Sequence, residues 1–562
     1  MSGASVRLFK TEYRISWAEP ALLLALGLRI GGFVGLVGSD DLGYLTYARE
    51  LALGTFQLSP DPFSNRWGIL LPEALLFYLF GPRIGFLALY PLTLGLLEVY
   101  LVFRLGRLVF GPGAGALAAL LIATLPLHVA LSTAIYPDLP AAVFATLSLF
   151  LLFLSDQPGK KVVPVLFLAG LAWGWAFECK ETMAILLPVY LVFFLRDLSS
   201  RRISLKAWAA FGAGAILWPG LEMAIYSFVA GDPFLRYTGV NAGHNVSIWT
   251  TRATIAQGLL WRRLTLEFLN CLVSRVRDFG ALFTLVTAAT AWAFLGKNRP
   301  ARRLAAWLWL FLLSFNFASS SLTEYLPLLV APRYLAPAFA PAAVLAGGFF
   351  HELWQSSKNR EPSRPVRLGV WALVLVAGLA FLYRPGRFQT VTLLGSLLIL
   401  WAQIRIHRPG HVSPGWAWAS FPLAALQAGL ILFVLLTPPP IRSFPWLDAQ
   451  VLEITKPHPE RPIYADSRSI SIMQFLDQYR HPDRFHDYYG LTSDQLQAGY
   501  LWRQDHEIEI LRLARQKNPP AFVLAAPASW PQLLQKSHLQ EHYILYQIPH
   551  PAASEPQPKP RP

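Results

Sequence analysis

Two acidic positions and three basic ones carry most of the chemistry this sequence can offer. Asp40 and Asp41 stand side by side in SDDLGYLTYARELALGTF, directly after a long apolar run. A second acidic position, Asp138, lies in YPDLPAAVFATL, where the chain turns from one apolar run into the next. Carboxylates at the ends of apolar segments are costly beside lipid, which makes them candidate functional groups. One could take a proton from an acceptor hydroxyl. The other could hold a divalent cation or steady a developing positive charge. Each acid also fits a structural role, because a carboxylate in a first helical turn complements the helix dipole, and Ser39 or Asp40 could cap a helix starting near Leu42. The basic residues are Arg66 in SNRWGILLPEALL, Lys180 in AFECKETMAILLP and Arg333 in APRYLAPAFAP. Arginine and lysine are natural partners of phosphate and diphosphate. Their alternative use is snorkelling to lipid head groups, or pairing with Glu178, Glu181 or Glu324. His244, in GDPFLRYTGVNAGHN, could join a carboxylate as a metal ligand, although a single loop histidine is ordinarily a surface residue.

These residues must be positioned by membrane-spanning helices. The 562 residues are 54% hydrophobic and 14% charged, too little charge to coat a soluble protein of this length. The net charge of +15 could suggest a nucleic-acid partner, so the location of the charge matters more than its size. The basic residues instead fall in short clusters between apolar runs. Taking about 20 apolar residues per span, the candidates are 17–37, 85–105, 113–131, 138–155, 162–178, 182–196, 206–229, 278–296, 303–322, 331–351, 366–384, 389–405 and 416–437. With the N-terminus inside, alternate loops carry clusters such as Arg201, Arg202 and Lys206, or Lys297, Arg299, Arg302 and Arg303, all on the cytoplasmic side. The opposite loops carry mainly acids and isolated bases. The first apolar stretch lacks a small-residue cleavage site and reads as a retained anchor.

Two outer loops, 38–82 and 231–277, exceed simple connections. Within the first, 42–53 and 67–80 are amphipathic and suit helices lying along the membrane interface, roofing a cavity. From Pro438 the sequence turns polar. Segments 462–466, 521–525 and 543–548 read as strands, and 467–480, 493–516 and 529–537 as helices, so 438–562 is expected to form a small α/β domain outside the membrane with a disordered Pro-rich tail. Domain one is then 1–437. GPGAGALAAL lacks the Lys–Ser/Thr of a phosphate loop and is better explained by close helix packing.

In order and spacing these motifs resemble the GT-C superfamily of polyprenyl-phosphate-dependent glycosyltransferases, closest to the protein mannosyltransferase and aminoarabinose-transferase-like branch (glycosyltransferase family 39). The likeness covers about residues 1–350. It rests on the acid pair followed by Tyr44, Ala48, Leu51 and Gly54; on Arg66 before Leu71–Pro72 and Phe80–Gly81; on Asp138 opening a span; on GLAWGWAFECKETMAILLP; and on Arg333, Tyr334 and Pro337. Family members often carry Thr-Lys-Pro where this chain has Cys-Lys-Glu, which places Glu181 beside Lys180. The resemblance implies an all-α polytopic membrane protein of about thirteen spans with the GT-C fold. It implies transfer of a sugar, with inversion, from a polyprenyl-phosphate donor to a lipid, glycan or protein acceptor at the outer face of the cytoplasmic membrane. By the same analogy Asp40, Asp41 and Asp138 sit at the reaction centre, Arg66, Lys180 and Arg333 hold the donor phosphate, and Tyr44, Glu181 and Tyr334 contact substrate. A divalent metal ion, with His244 as its candidate ligand, is the one cofactor the likeness suggests. The rival readings are a lipid-linked sugar flippase, which predicts charges at the bilayer midplane, and a non-catalytic component of envelope-polysaccharide assembly, in which the outer carboxylates are dispensable.

Overall fold

A computed structural model describes residues 18–239, 263–264, 267–319, 325, 328–358, 363–383, 387–406, 429, 445–487, 499–502, 521–524 and 543–548. Among the described residues, every expected span from 17–37 through 389–405 overlaps helix, while 416–437, apart from residue 429, lies outside the described residues. Among the described residues, six helices are long and apolar enough to cross a membrane, and shorter apolar helices such as Asp138–Leu154 pack with them. The innermost segment is Pro332–Ser356, with 89% of its apolar window buried.

Prolines set the departures from single straight spans. The expected 113–131 helix is two helices, Pro112–Ala123 and Pro126–Leu131, because Pro126 supplies no N–H to continue the first and serves instead as the start of the second. Likewise Pro332–Ala338, with prolines at both 332 and 337, is a 3₁₀ turn ahead of the helix Phe339–Lys358. Small residues let backbones touch. A Cβ at Gly115 would lie 2.6 Å from the Phe103 carbonyl oxygen, and one at Gly347 would lie 2.7 Å from the Ala118 nitrogen, so GPGAGALAAL is a packing motif.

Buried charge fastens the bundle where sequence reasoning saw only apolar runs. Arg29, fully enclosed, donates to the Ala25 and Ala123 carbonyl oxygens at 2.9 and 3.3 Å and lies 2.5 Å from His128 Nδ1. His128 Nε2 is 2.9 Å from Glu98, which also accepts from the Thr146 hydroxyl at 3.0 Å. Five helices, Ala18–Gly31, Leu89–Phe110, Pro112–Ala123, Pro126–Leu131 and Asp138–Leu154, thus share one polar knot.

The two amphipathic stretches of loop 38–82 are helices Asp40–Leu53 and Trp67–Phe80, packed on each other. The C-terminal region holds a five-stranded sheet of order β2-β1-β3-β5-β4, built from β1 Ile463–Ala465, β2 Phe485–Asp487, β3 Gly499–Trp502, β4 Ala521–Leu524 and β5 Tyr543–Ile548. β1 runs parallel to β2 and β3, and β5 runs antiparallel to β3 and β4. The expected helix over 493–516 is therefore wrong at Gly499–Trp502. Tyr500 and Trp502, two residues apart, both enter the core with Val451, Ile463 and Phe485, which is strand periodicity. The helix Ser467–Leu476 turns from this sheet to the loop that carries Asp40. Ile472 and Phe475 join a core with Tyr44, Leu45, Ile69 and Phe77, and Arg49 lies 4.0 Å from the Tyr479 ring.

Removing one partner of a buried charged network leaves the others uncompensated, at a cost of about 3–5 kcal/mol. Glu98→Leu is accordingly expected to lower the unfolding midpoint of detergent-purified protein sharply. An unchanged midpoint would show that the knot does not clamp the bundle.

Candidate active site

Four separated segments meet at one end of the bundle. The first enters through the turn Val37–Ser39, whose form is fixed by Asp41. Its carboxylate accepts from the backbone N–H groups of Val37, Gly38 and Ser39 at 2.5, 3.1 and 2.6 Å. Gly38 has φ +77° and its α-carbon faces Ile472, leaving no room for a side chain. Asp41 is fully enclosed, and burial pushes its pKa above the ordinary carboxylate value against the opposing backbone bonds. The two adjacent acids are thus unequal: Asp41 shapes the loop, and Asp40 points into the cluster.

Asp40 meets Arg333, whose Nη2 donates to Oδ2 at 2.6 Å. Burial raises the pKa of Asp40, but the charge and hydrogen bond of Arg333, aided by Arg66 and Lys180, outweigh it and hold the carboxyl below its ordinary range. Arg333 Nε also lies 3.8 Å from Asp138 Oδ2, so one guanidinium spans both acids. Asp138 opens the helix Asp138–Leu154 without capping it, since its Oδ1 takes the Lys180 ammonium at 2.5 Å. The other oxygen of Asp138 is buried and without a hydrogen bond. Lys180 follows the last residue of the helix Val162–Cys179 in an extended conformation, which turns its side chain back to Asp138. Its Nζ stands 3.6 Å from the centre of the Tyr334 ring, and Arg333 stands 4.6 Å from that of Tyr136.

A second ion-paired chain runs alongside. Arg66 grips Glu181 with two bonds of 3.0 and 2.7 Å and also donates to the Tyr44 hydroxyl. Glu181 lies 3.9 Å from Arg236, which reaches Glu178 at 3.0 Å and Glu222 at 3.1 Å. Tyr226 then bonds Glu222 and Asn65, each at 2.9 Å. Arg236, Glu222, Tyr226 and Tyr136 were not singled out in the sequence. Glu222 carried a usable signal, because an acid within a long apolar run needs a partner. Arg236 carried none that separates it from other loop arginines.

The structure therefore brings together Asp40, Asp138, Lys180, Arg333 and Tyr334, and beside them Arg66, Tyr44 and Glu181. His244 lies outside the described residues. Among the described residues no three His, Cys, Asp or Glu side chains gather as metal ligands, and Asp40 and Asp138 already face Arg333 and Lys180. The described donor set does not fit a metal ion.

Comparison with known proteins agrees with this architecture. Residues 70–220 match the family model for dolichyl-phosphate-mannose-protein mannosyltransferase. The crystal structure of ArnT from Cupriavidus metallidurans in the apo state aligns with a TM-score of 0.51 at 14% identity, over 94% of this chain and 97% of that one. The ArnT structure bound to undecaprenyl phosphate gives a TM-score of 0.51 at 15% identity, over 96% and 98% of the two chains. No curated protein matches the sequence itself. With its motifs, its family match and its whole-chain structural likeness in agreement, the chain has the fold of the GT-C glycosyltransferases.

Proposed function

We propose that this protein is an inverting glycosyltransferase that moves a sugar from a polyprenyl-phosphate donor to an acceptor hydroxyl at the outer face of the cytoplasmic membrane. The observation that carries the reading is the convergence of Asp40, Asp138, Lys180 and Arg333 in one ion-paired cluster at one end of the bundle. The family match to a dolichyl-phosphate-mannose enzyme, and a similar fold solved with undecaprenyl phosphate, favour a lipid phosphate as the donor's leaving group. The positive-inside pattern puts the N-terminus in the cytoplasm and this end of the bundle outside. The region 438–562 then belongs outside too, since its helix Ser467–Leu476 packs on the loop that carries Asp40.

In the reaction the bond between the anomeric carbon and the phosphate oxygen breaks, its electron pair leaving with polyprenyl phosphate. The acceptor oxygen attacks the opposite face of that carbon, and its proton passes to Asp40. Charge develops on the departing phosphate, where Arg333, Lys180 and Arg66 supply preorganised cations. In the resting site each of these cations is held by a carboxylate, so donor binding is an exchange of partners. When phosphate takes the Arg333 guanidinium, Asp40 loses the charge that held its pKa down, while its burial remains. Donor binding thereby makes Asp40 a stronger base. Asp138, ion-paired to Lys180 through Oδ1, presents its other oxygen, which accepts no hydrogen bond, to the positive charge that grows on the sugar.

Loss of a general base costs about 10²–10⁴-fold in rate. Asp40→Asn should lower kcat by that order in a protein of normal stability, whereas Asp41→Asn should reduce stability along with activity, because an amide nitrogen would face the N–H donors of the 37–39 turn. Near wild-type glycosyl transfer by a folded Asp40→Asn protein would overturn the assignment.

The depressed pKa of Asp40 keeps it ionised into acid, and its activity is lost only as pH falls through that value. The acid limb of kcat/KM, which reports free enzyme, is therefore expected at lower pH than the acid limb of kcat. Arg333→Gln should move the kcat/KM limb upward. A limb unmoved by that substitution would show that this pair does not govern the base.

A further inference from the structure

A second charged site lies at the far end of the same helices. Asp138 begins a 17-residue helix ending at Leu154, which separates its ends by about 25 Å. Beyond that end is a cavity of about 780 Å³ whose wall includes five guanidiniums and only two carboxylates. Arg303, buried against the Phe153 and Phe193 rings, binds both acids, Asp156 and Asp197. Arg202 shares Asp156 at 3.0 Å. The acids are thus consumed by two arginines, and Arg196, Arg299 and Arg302 line the cavity with no ion pair among the described residues. Arg302 is half-buried, and its Nε is enclosed without a hydrogen-bond partner.

Backbone charge adds to theirs. Arg299 and Pro300 are the first residues of the 19-residue helix Arg299–Phe317, so its positive dipole end lies at the same wall, although Pro300 has no N–H and those of Ala301 and Arg302 already bond Asn298. The rest of the wall holds the polar Gln157 and Ser200, with Leu108, Val109 and Phe153 forming an apolar side. A cavity with surplus guanidiniums, a helix N-terminus and an apolar side fits a phosphate joined to a hydrophobic body. It shares no residue with the cluster at Asp40 and Asp138.

We propose that this cavity binds the phosphate of an anionic glycerophospholipid, its headgroup between Arg299, Arg302 and Arg196 and its glycerol region against Leu108 and Phe153. The charge-cluster reading of topology places this end at the cytoplasmic leaflet, where such basic pockets between helices meet lipid head groups. The site does not depend on glycosyl transfer.

The test uses full-length protein in nanodiscs of zwitterionic phosphatidylcholine, with added phosphatidylglycerol or with millimolar inorganic phosphate. Thermal midpoints and lipid retention by native mass spectrometry are the readouts. Phosphatidylglycerol is expected to raise the midpoint and to remain bound. R299Q/R302Q should weaken retention roughly tenfold or more, since two charge-assisted contacts to the phosphate are lost. R299K/R302K should keep most of it, which controls for folding. D40N should keep it fully even when transfer is abolished, which separates failure of this site from failure of the glycosyltransferase reading. Equal stabilisation by inorganic phosphate alone would overturn the lipid as ligand in favour of soluble phosphate. Absence of both effects, or retention unchanged in R299Q/R302Q, would overturn the site.

Discussion

The guanidinium of Arg333 lies between two carboxylates delivered by different helices, and the proposed chemistry depends on that placement. With Asp40 on one side and Asp138 on the other, the arginine pairs both acids and holds the Asp40 carboxyl below its ordinary range where burial opposes charge. Lys180 gives Asp138 a second cation. A cluster so paired is stable without substrate, yet each of its cations has a partner that a phosphate can replace. Free arginines would bind phosphate more readily at first, but would be hard to hold so close together beside lipid. The acids make the basic site foldable, and they become available when the phosphate arrives.

That arrangement places a demand on the loop that carries Asp40. Asp40 can reach Arg333 only because its neighbour is committed elsewhere: Asp41 gathers three backbone N–H groups and sets the turn at Gly38. Ile472, from the helix following the first strand of the C-terminal sheet, packs against that turn, and Arg49 on the Asp40 helix lies against Tyr479. The C-terminal region is thus part of what positions the acid. This gives physical content to a segment in which no motif was recognisable.

The apolar runs read from the sequence fall on helices, six of them long and apolar enough to cross a membrane among the described residues. The acids and bases singled out at the ends of those runs lie close together in the structure. Pairing was not legible. Nothing in the chain says that Arg66 chooses Glu181, that Arg333 takes Asp40 and Asp138 together, or that Arg29, Glu98 and His128 form a knot, since these partners become neighbours only through packing. The acid pair looked symmetrical until backbone geometry assigned one member to the loop. Short strands failed for another reason. Phe485–Asp487 and Gly499–Trp502 are too brief to show a period, and the second stood in a polar stretch that suited a helix.

The helix Asp138–Leu154 links the two charged ends. Asp138 is tied to Arg333 and Lys180, and Asp156, just beyond the other end, is tied to Arg303 and Arg202. Arg303 lies in the helix Arg299–Phe317, and Arg333 in the separate 3₁₀ turn Pro332–Ala338. The Asp138–Leu154 segment is therefore held at each end by an acid–arginine contact, to a different partner segment at each end. Apolar ridges alone would tolerate a slip of one turn, about 5.4 Å, at modest cost. Here such a slip would break both contacts together and leave charges unpaired in a medium that penalises them strongly. Charge at its two ends can thus hold the register that apolar packing along this helix leaves open.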